Sequence, residues 1–242
     1  MRKGDFEKRV LFVNDDLIIV NKIAGESTDG VFKAGIIDLS KEISAYLGID
    51  GKKNSFLPQA VHRLDVPVSG CVLFARNAKA AAFLGNCFAK SVYEEGRAEK
   101  YYWAVVENSL AFKKLPEAGE LVHFIQINKK KNMSSAWDKP GKLRKEAVLR
   151  YRVKKGGVNY GFLEIELVTG RHHQIRAQFA ALGIHIKGDL KYGSKRSESS
   201  GGIRLHSRSL YLPDPSLEGN FITVTADPPH IDRLWKDFAG LT

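Results

Sequence analysis

The sequence predicts an α+β fold, and three observations lead there. Short β-rich runs bounded by Gly, Pro, Asn and Asp outnumber segments with helical spacing, and they do not alternate with helices as repeated βαβ units would. The 242 residues are 43% hydrophobic and 27% charged, enough apolar surface for a substantial core and too much for a disordered chain. Cys71 and Cys87 allow at most one bridge, so no disulfide scaffold replaces that core, and a reducing, cytoplasmic setting is expected. No internal repeat and no convincing linker interrupts the chain, so a single domain over residues 1–242 is expected.

In chain order, Val10–Val13 and Leu17–Asn21 read as strands joined by the turn residues Asn14, Asp15 and Asp16. Ile36–Leu47 has helical apolar spacing, and Gly48 ends it. Gly70–Ala75 is an apolar run of strand length. Asn77 then caps a helix over Ala78–Ala89, because its amide oxygen can accept from a free helical N–H. Strands are expected at Lys100–Val106, Leu121–Ile127, Ala147–Val153 and Phe162–Val168, the last two linked by a turn at 154–157. Arg171–Leu182 reads as a helix with Ile175, Phe179 and Leu182 on one face, stopped by Gly183. Gly193–Gly202 is polar and rich in Gly and Ser, a mobile loop by composition. Ile203–Leu212 and Phe221–Thr225 are expected to be closing strands, and Ile231–Phe238 a last helix.

The charge balance points toward polyanions. There are 38 Lys and Arg against 27 Asp and Glu, a net +11, and a chain this basic often meets nucleic acid. Seven of these cations lie between Lys129 and Lys145 with only Asp138 against them. Lys129, Lys130 and Lys131, with Trp137 nearby, suit a loop that tracks a phosphate backbone and stacks on a base. Without such a partner the same stretch is a solvated loop.

Several chemistries are absent. There is no Gly-rich phosphate loop, dinucleotide fingerprint, HExxH, paired CxxC or GxSxG elbow. His172 and His173 are adjacent, and neighbours on a helix do not share a face, so no metal site is expected. The N-terminus carries an apolar run of only four residues, and no apolar run of about 18 occurs, so neither a signal peptide nor a membrane span is expected.

Two polar clusters remain. His62-Arg63-Leu64-Asp65 runs into Val66-Pro67-Val68-Ser69-Gly70, a shaped turn before an apolar strand. Asp65 there is either a carboxylate at a strand mouth or a turn aspartate bonding its own backbone. Thr169-Gly170-Arg171-His172-His173-Gln174-Ile175-Arg176 opens a helix whose N-terminus, with Arg171, suits phosphate. Arg176 lies about a turn further on, where it can meet an acid from elsewhere in the chain.

These motifs, in this order, are similar to those of a known family. LFVNDDLIIVNKIAG (11–25), HRLDVPVSG (62–70), EKYYWAVV (99–106), VTGRHHQIRAQFAALGIHIKGDLKYGS (168–194) and LHSRSLYLPDP (205–215) resemble the pseudouridine synthases of the large-subunit ribosomal RNA type, the A-type family. The resemblance runs from about Val10 to Pro215. Ile23 stands where the family usually has proline, and Val66-Pro67-Val68 replaces a more polar stretch. The resemblance implies a single catalytic domain with a mixed, mainly antiparallel sheet, flanking helices and a central RNA-binding cleft. It implies no separate N-terminal RNA-binding domain.

The activity implied is isomerisation of uridine in structured ribosomal or transfer RNA to pseudouridine, with no cofactor and no metal. Asp65 is implied as the catalytic carboxylate, acting as nucleophile or as base. Arg176 is implied as its ion-pair partner and Tyr102 as the ring that stacks on uracil. Arg63 is implied to fill the space left by a flipped base. His62, Arg171, His173 and Gln174 are implied in substrate binding. The competing reading is a non-catalytic RNA-binding protein that keeps the fold, and a more distant one is a metal-dependent RNA hydrolase using the histidines.

Overall fold

A computed structural model describes residues 3–28, 36–49, 56–90, 94–199 and 201–240. Met1, Arg2 and Ser200, the last within the loop expected at Gly193–Gly202, lie outside the described residues. The elements in chain order are α1 (Lys3–Glu7), β1 (Val10–Val13), β2 (Leu17–Lys22), β3 (Glu26–Ser27), β4 (Ile37–Asp38), α2 (Leu39–Tyr46), β5 (Gln59–Ala60), β6 (Ser69–Ala75) and α3 (Ala78–Ala89). There follow β7 (Glu99–Glu107), α4 (Leu110–Lys113), β8 (Ala118–Asn128), β9 (Met133–Trp137), β10 (Lys145–Gly156), β11 (Tyr160–Leu167) and α5 (Gln174–Ala181). After a 3-10 turn at Leu190–Tyr192 come β12 (Leu205–Pro213), β13 (Phe221–Thr225) and α6 (Arg233–Ala239). The chain divides into two compact units, residues 1–99 with 207–229, and residues 100–206 with 230–242.

In the first unit the strand order is β1-β2-β6-β12-β13, with β5 on β6. β1, β2 and β6 pair antiparallel, as do β12 and β13, while β3 and β4 form a small parallel pair. Six of the seven residues of β6 are buried, which explains its unbroken apolar run. α3 lays Ala80, Leu84 and Cys87, spaced four and three apart, on a core that includes Leu17, Ile19, Leu73, Leu210 and Val224. Asn77 caps α3 as expected, accepting from the Ala80 N–H at 2.8 Å. Both cysteines are buried; burial pushes the Cys71 thiol up to about 12, so it packs as a small apolar group.

In the second unit β7-β11-β10-β8-β9 form an antiparallel meander-like sheet. The fold is therefore mixed and mainly antiparallel with flanking helices. One core joins Ile125, Ala147, Ala177 and Tyr192 under α5, and another seats Trp235 of α6 against Val105 and Phe162.

Three local expectations change. The basic stretch is not one loop, because Met133–Trp137 pairs with β8 and makes a hairpin whose tip is Lys129–Asn132. Its strand signal is short and lies between lysine runs, which hides it. α5 starts at Gln174 rather than Arg171, because His173 takes a left-handed conformation with φ of 53°. The polar loop after Gly193 is tied down by Glu198, only 8% exposed, which bonds Arg204 at 2.7 and 2.9 Å and also pairs with Lys187. Burial raises the Glu198 carboxyl, but its arginine and lysine partners override that and hold it at about 2.

Candidate active site

The turn bearing Asp65 belongs to the first unit, and a lysine builds it. Lys22, at the end of β2, is fully buried. Its ammonium reaches the carbonyls of Ile23, Asp65, Val66 and Val68 at 3.1, 3.2, 3.1 and 2.6 Å. These four acceptors share three N–H donors, so the backbone from Asp65 to Val68 and that of Ile23 converge on one charge. Burial lowers the Lys22 pKa to about 8 against the pull of Glu26 and Asp65, and the ammonium remains charged at neutral pH. Glu26, 1% exposed, holds Arg9 at 2.8 and 2.5 Å and accepts from the Ile23 N–H at 3.0 Å. The turn closes with Val68 N–H to Asp65 O at 2.9 Å, and Gly25 N–H donates to Val66 O at 2.8 Å. Asp65 itself is half-buried and Arg63 is exposed.

Gly70 lets the strand leave this turn. Its φ is 114°, and a Cβ there would overlap the Ser207 backbone. His62 accepts from the Leu73 N–H through Nε2 at 3.3 Å and stacks on Phe88 with ring centroids 5.0 Å apart. That makes His62 a support of β6 and α3.

The second unit holds the other predicted residues. Tyr102 is 4% exposed on β7, opposite Ile165 of β11. Lys100, two residues earlier and on the same strand face, is also buried, and a Cβ on Gly170 would lie 3.2 Å from its Nζ. Gln174 knits the turn before α5. Its Oε1 accepts from Thr169 Oγ1 at 2.8 Å and from the Arg171 N–H at 2.9 Å, while Nε2 donates to Val148 O at 3.0 Å. Gln174 thus braces the loop that carries Arg171, whose own Nε donates to Glu146 O at 2.9 Å.

Arg176 is 4% exposed and forms a two-pronged pair with Asp189, Nε to Oδ2 at 2.7 Å and Nη2 to Oδ1 at 2.8 Å. Its guanidinium centre lies 4.8 Å from the centroid of the Tyr192 ring. Tyr192 Oη receives the Ser134 N–H at 2.7 Å and sits 2.9 Å from His173 Nδ1. Burial, then the charge of Arg176, lowers the His173 pKa to about 2, so the imidazole is neutral at physiological pH. His172 and His173 stack at 3.8 Å rather than facing apart, because both precede α5 and His173 is left-handed. His172 Nδ1 lies 2.8 Å from Ser134 Oγ and its Nε2 3.1 Å from Asn132 Oδ1. Among the described residues no group of three or more His, Cys, Asp or Glu is arranged to hold a metal ion. Lys129, Lys130 and Lys131 are exposed on the β8–β9 turn, and beyond it Arg144 lies 4.0 Å over the Trp137 ring.

Sequence reasoning missed Lys22, Lys100, Asp189 and Tyr192. A lysine ending a strand whose first four residues are apolar is the signal that marks Lys22; nothing local marks Asp189, whose partner lies 13 residues away.

Residues 16–181 match the model of the RNA pseudouridylate synthase family. An uncharacterised RNA pseudouridine synthase of Zymomonas mobilis is 32% identical over 227 residues, covering 92% of this chain and 94% of that protein. The ribosomal large subunit pseudouridine synthase C of Rickettsia felis is 32% identical over 91% of this chain and 67% of its own length. The tRNA pseudouridine synthase C of Haemophilus ducreyi is 28% identical over 95% and 93%. In fold, the human RNA pseudouridylate synthase domain containing 4 matches with a TM-score of 0.71 at 19% identity, over 94% of this chain and 91% of that one. Since the family match takes in the Asp65 turn, Tyr102 and Arg176 together, the chain belongs to the RNA pseudouridylate synthase family.

Proposed function

We propose that this RNA pseudouridine synthase acts on uridine in structured ribosomal or transfer RNA, with Asp65 as the catalytic carboxylate. The reading is supported by the family match over residues 16–181, and the names of the Rickettsia and Haemophilus relatives supply the two RNA classes. In this reading Asp65 breaks the bond from ribose carbon 1′ to the base nitrogen, by attack or by removing a ribose proton. Uracil turns and rejoins through carbon 5. Tyr102 stacks on the uracil and assists loss of the carbon 5 proton. Arg176 keeps the carboxylate ionised. A uridine held in a stack must first leave it, at roughly a few kcal/mol, and the exposed Arg63 takes its place. Arg171, the His173 N–H and Lys129, Lys130 and Lys131 hold phosphates.

Carrying the proposal is the way Lys22 fixes the Asp65 turn: a buried ammonium on four carbonyls gives that carboxylate a rigid mount. The test is pseudouridine mapping of total RNA from cells with the wild-type chain, with Asp65→Asn and with neither. Asp65→Asn is nearly isosteric, so fold and RNA affinity should persist while every site that depends on the protein loses its pseudouridine. A variant retaining a tenth of the rate would have lost only about 1.4 kcal/mol in the barrier, and that would refute the assignment.

A further inference from the structure

We propose that Asp189 and Tyr192 are positioning residues of the reaction, acting through Arg176. The proposal rests on the reading of Arg176 as the partner of the catalytic carboxylate. A guanidinium on a flexible stem can serve a buried reaction only if its plane is fixed, and two independent contacts fix this one. Asp189, 1% exposed, grips Nε and Nη2 in parallel, which sets the plane and its rotation. Tyr192 lies against the guanidinium, with its centre 4.8 Å from the ring centroid, which sets its height.

The two grips are built as one piece. Asp189 is the residue before the 3-10 turn and Tyr192 is its last residue, so one short turn carries both. The Asp189 backbone is pinned: its N–H donates to Ile186 O at 3.0 Å, and its carbonyl accepts from Tyr192 and Ser194, both at 3.0 Å. Gly188 and Gly193 bracket the turn with φ of 89° and 97°, conformations open to glycine at little strain. At the far end, Tyr192 Oη is held by the Ser134 N–H. The same oxygen lies 2.9 Å from His173 Nδ1, a second hydrogen bond on the ring's hydroxyl. The Asp189 carboxylate and the Arg176 guanidinium thus form one rigid unit, and the direction in which Arg176 presents its charge depends on Asp189.

The experiment is single-turnover kinetics on unmodified ribosomal and transfer RNA transcripts carrying tritium at uracil carbon 5, with release of tritium as the readout. Asp189→Asn should lower the saturated rate about 30-fold or more, with half-saturating RNA changed less than about threefold. Tyr192→Phe keeps the ring but drops the hydroxyl, and should lower the saturated rate about three- to tenfold. In the Arg176→Met background, adding Asp189→Asn should cost less than about twofold further, because its target is already gone. A purely structural Asp189 would instead cost the same factor in both backgrounds, and that result overturns the proposal. So does a normal rate for Asp189→Asn. If Asp189→Asn fails to fold, an unchanged rate for Tyr192→Phe overturns it. Near-normal turnover of Arg176→Met defeats the reading of Arg176 itself and is told apart by that variant alone.

Discussion

Lys22 shows how one buried side chain can shape a turn. Burying an ammonium is unfavourable, and here four backbone carbonyls offset it in a space without solvent. Replacing it with methionine keeps the length and removes every donor. Those carbonyls then lose their common partner, so Lys22→Met should destabilise the fold by about 2–4 kcal/mol. Because Asp65 stands in that turn, the saturated turnover should fall while RNA affinity changes little. Urea denaturation with single-turnover kinetics checks both. Stability within about 0.5 kcal/mol of wild type would mean that the ammonium only breaks even against its burial.

At the level of elements, the step from the Asp65 turn into β6 depends on glycine for two separable reasons. Gly70 has a positive φ and also lacks room for a Cβ beside Ser207. Gly25 has a positive φ of 96° with open space around it. Gly25→Ala should therefore cost only backbone strain, about 1–2 kcal/mol, whereas Gly70→Ala adds a backbone collision and should cost about 3 kcal/mol or more. Chemical denaturation of the two variants makes the comparison. Equal losses would mean that β12 shifts freely to accept the Cβ. The helix α5 follows the same logic from the other side: its first turn is set by the left-handed His173 and by Gln174, rather than by a conventional polar cap.

Over the whole molecule, charge governs both partner and pH range. The net charge of +11 is concentrated in part at the β8–β9 turn, where Lys129, Lys130 and Lys131 stand exposed. Changing all three to Gln should weaken binding to an RNA transcript and reduce the slope of log affinity against log salt by roughly 0.7 to 0.9 per lost phosphate contact. The saturated rate should barely move, since the turn would hold ground and transition states alike. An unchanged salt slope would return these lysines to bare solvation. Acid stability follows from buried groups. His173 sits at about 2 in the fold against an ordinary 6.5, so its contribution is whole above pH 6.5 and is lost as pH falls toward 2. Glu198, at about 2 against 4.5, contributes fully above pH 4.5 and is lost between 4.5 and 2. Stability should thus decline below pH 6.5 by at most about 1.4 kcal/mol per pH unit per group, and more steeply below 4.5. Urea titrations from pH 7.5 to 3.5 measure this, and His173→Gln should flatten the upper part of the decline. His123, also lowered by burial, keeps a part of it.

The sequence by itself determined the class of fold, the main strands and helices and the family, because these rest on local signals. Apolar runs, the Asn77 cap and the Gly stops act within a few residues, and motifs such as HRLD and GRHHQIR are contiguous in the chain. It also marked Asp65, Tyr102 and Arg176 through resemblance. Only tertiary structure decided what surrounds them. Lys22 meets the Asp65 turn across 43 residues of chain, and Asp189 meets Arg176 across 13. His62 and Gln174, polar in sequence, are used within the fold, on β6 and on the turn before α5. Glu198 converts a loop that reads as mobile into a buried ion-pair anchor. In each case the deciding energy is the desolvation of a polar group, and only the arrangement of distant backbone and side chains determines whether that group finds a partner.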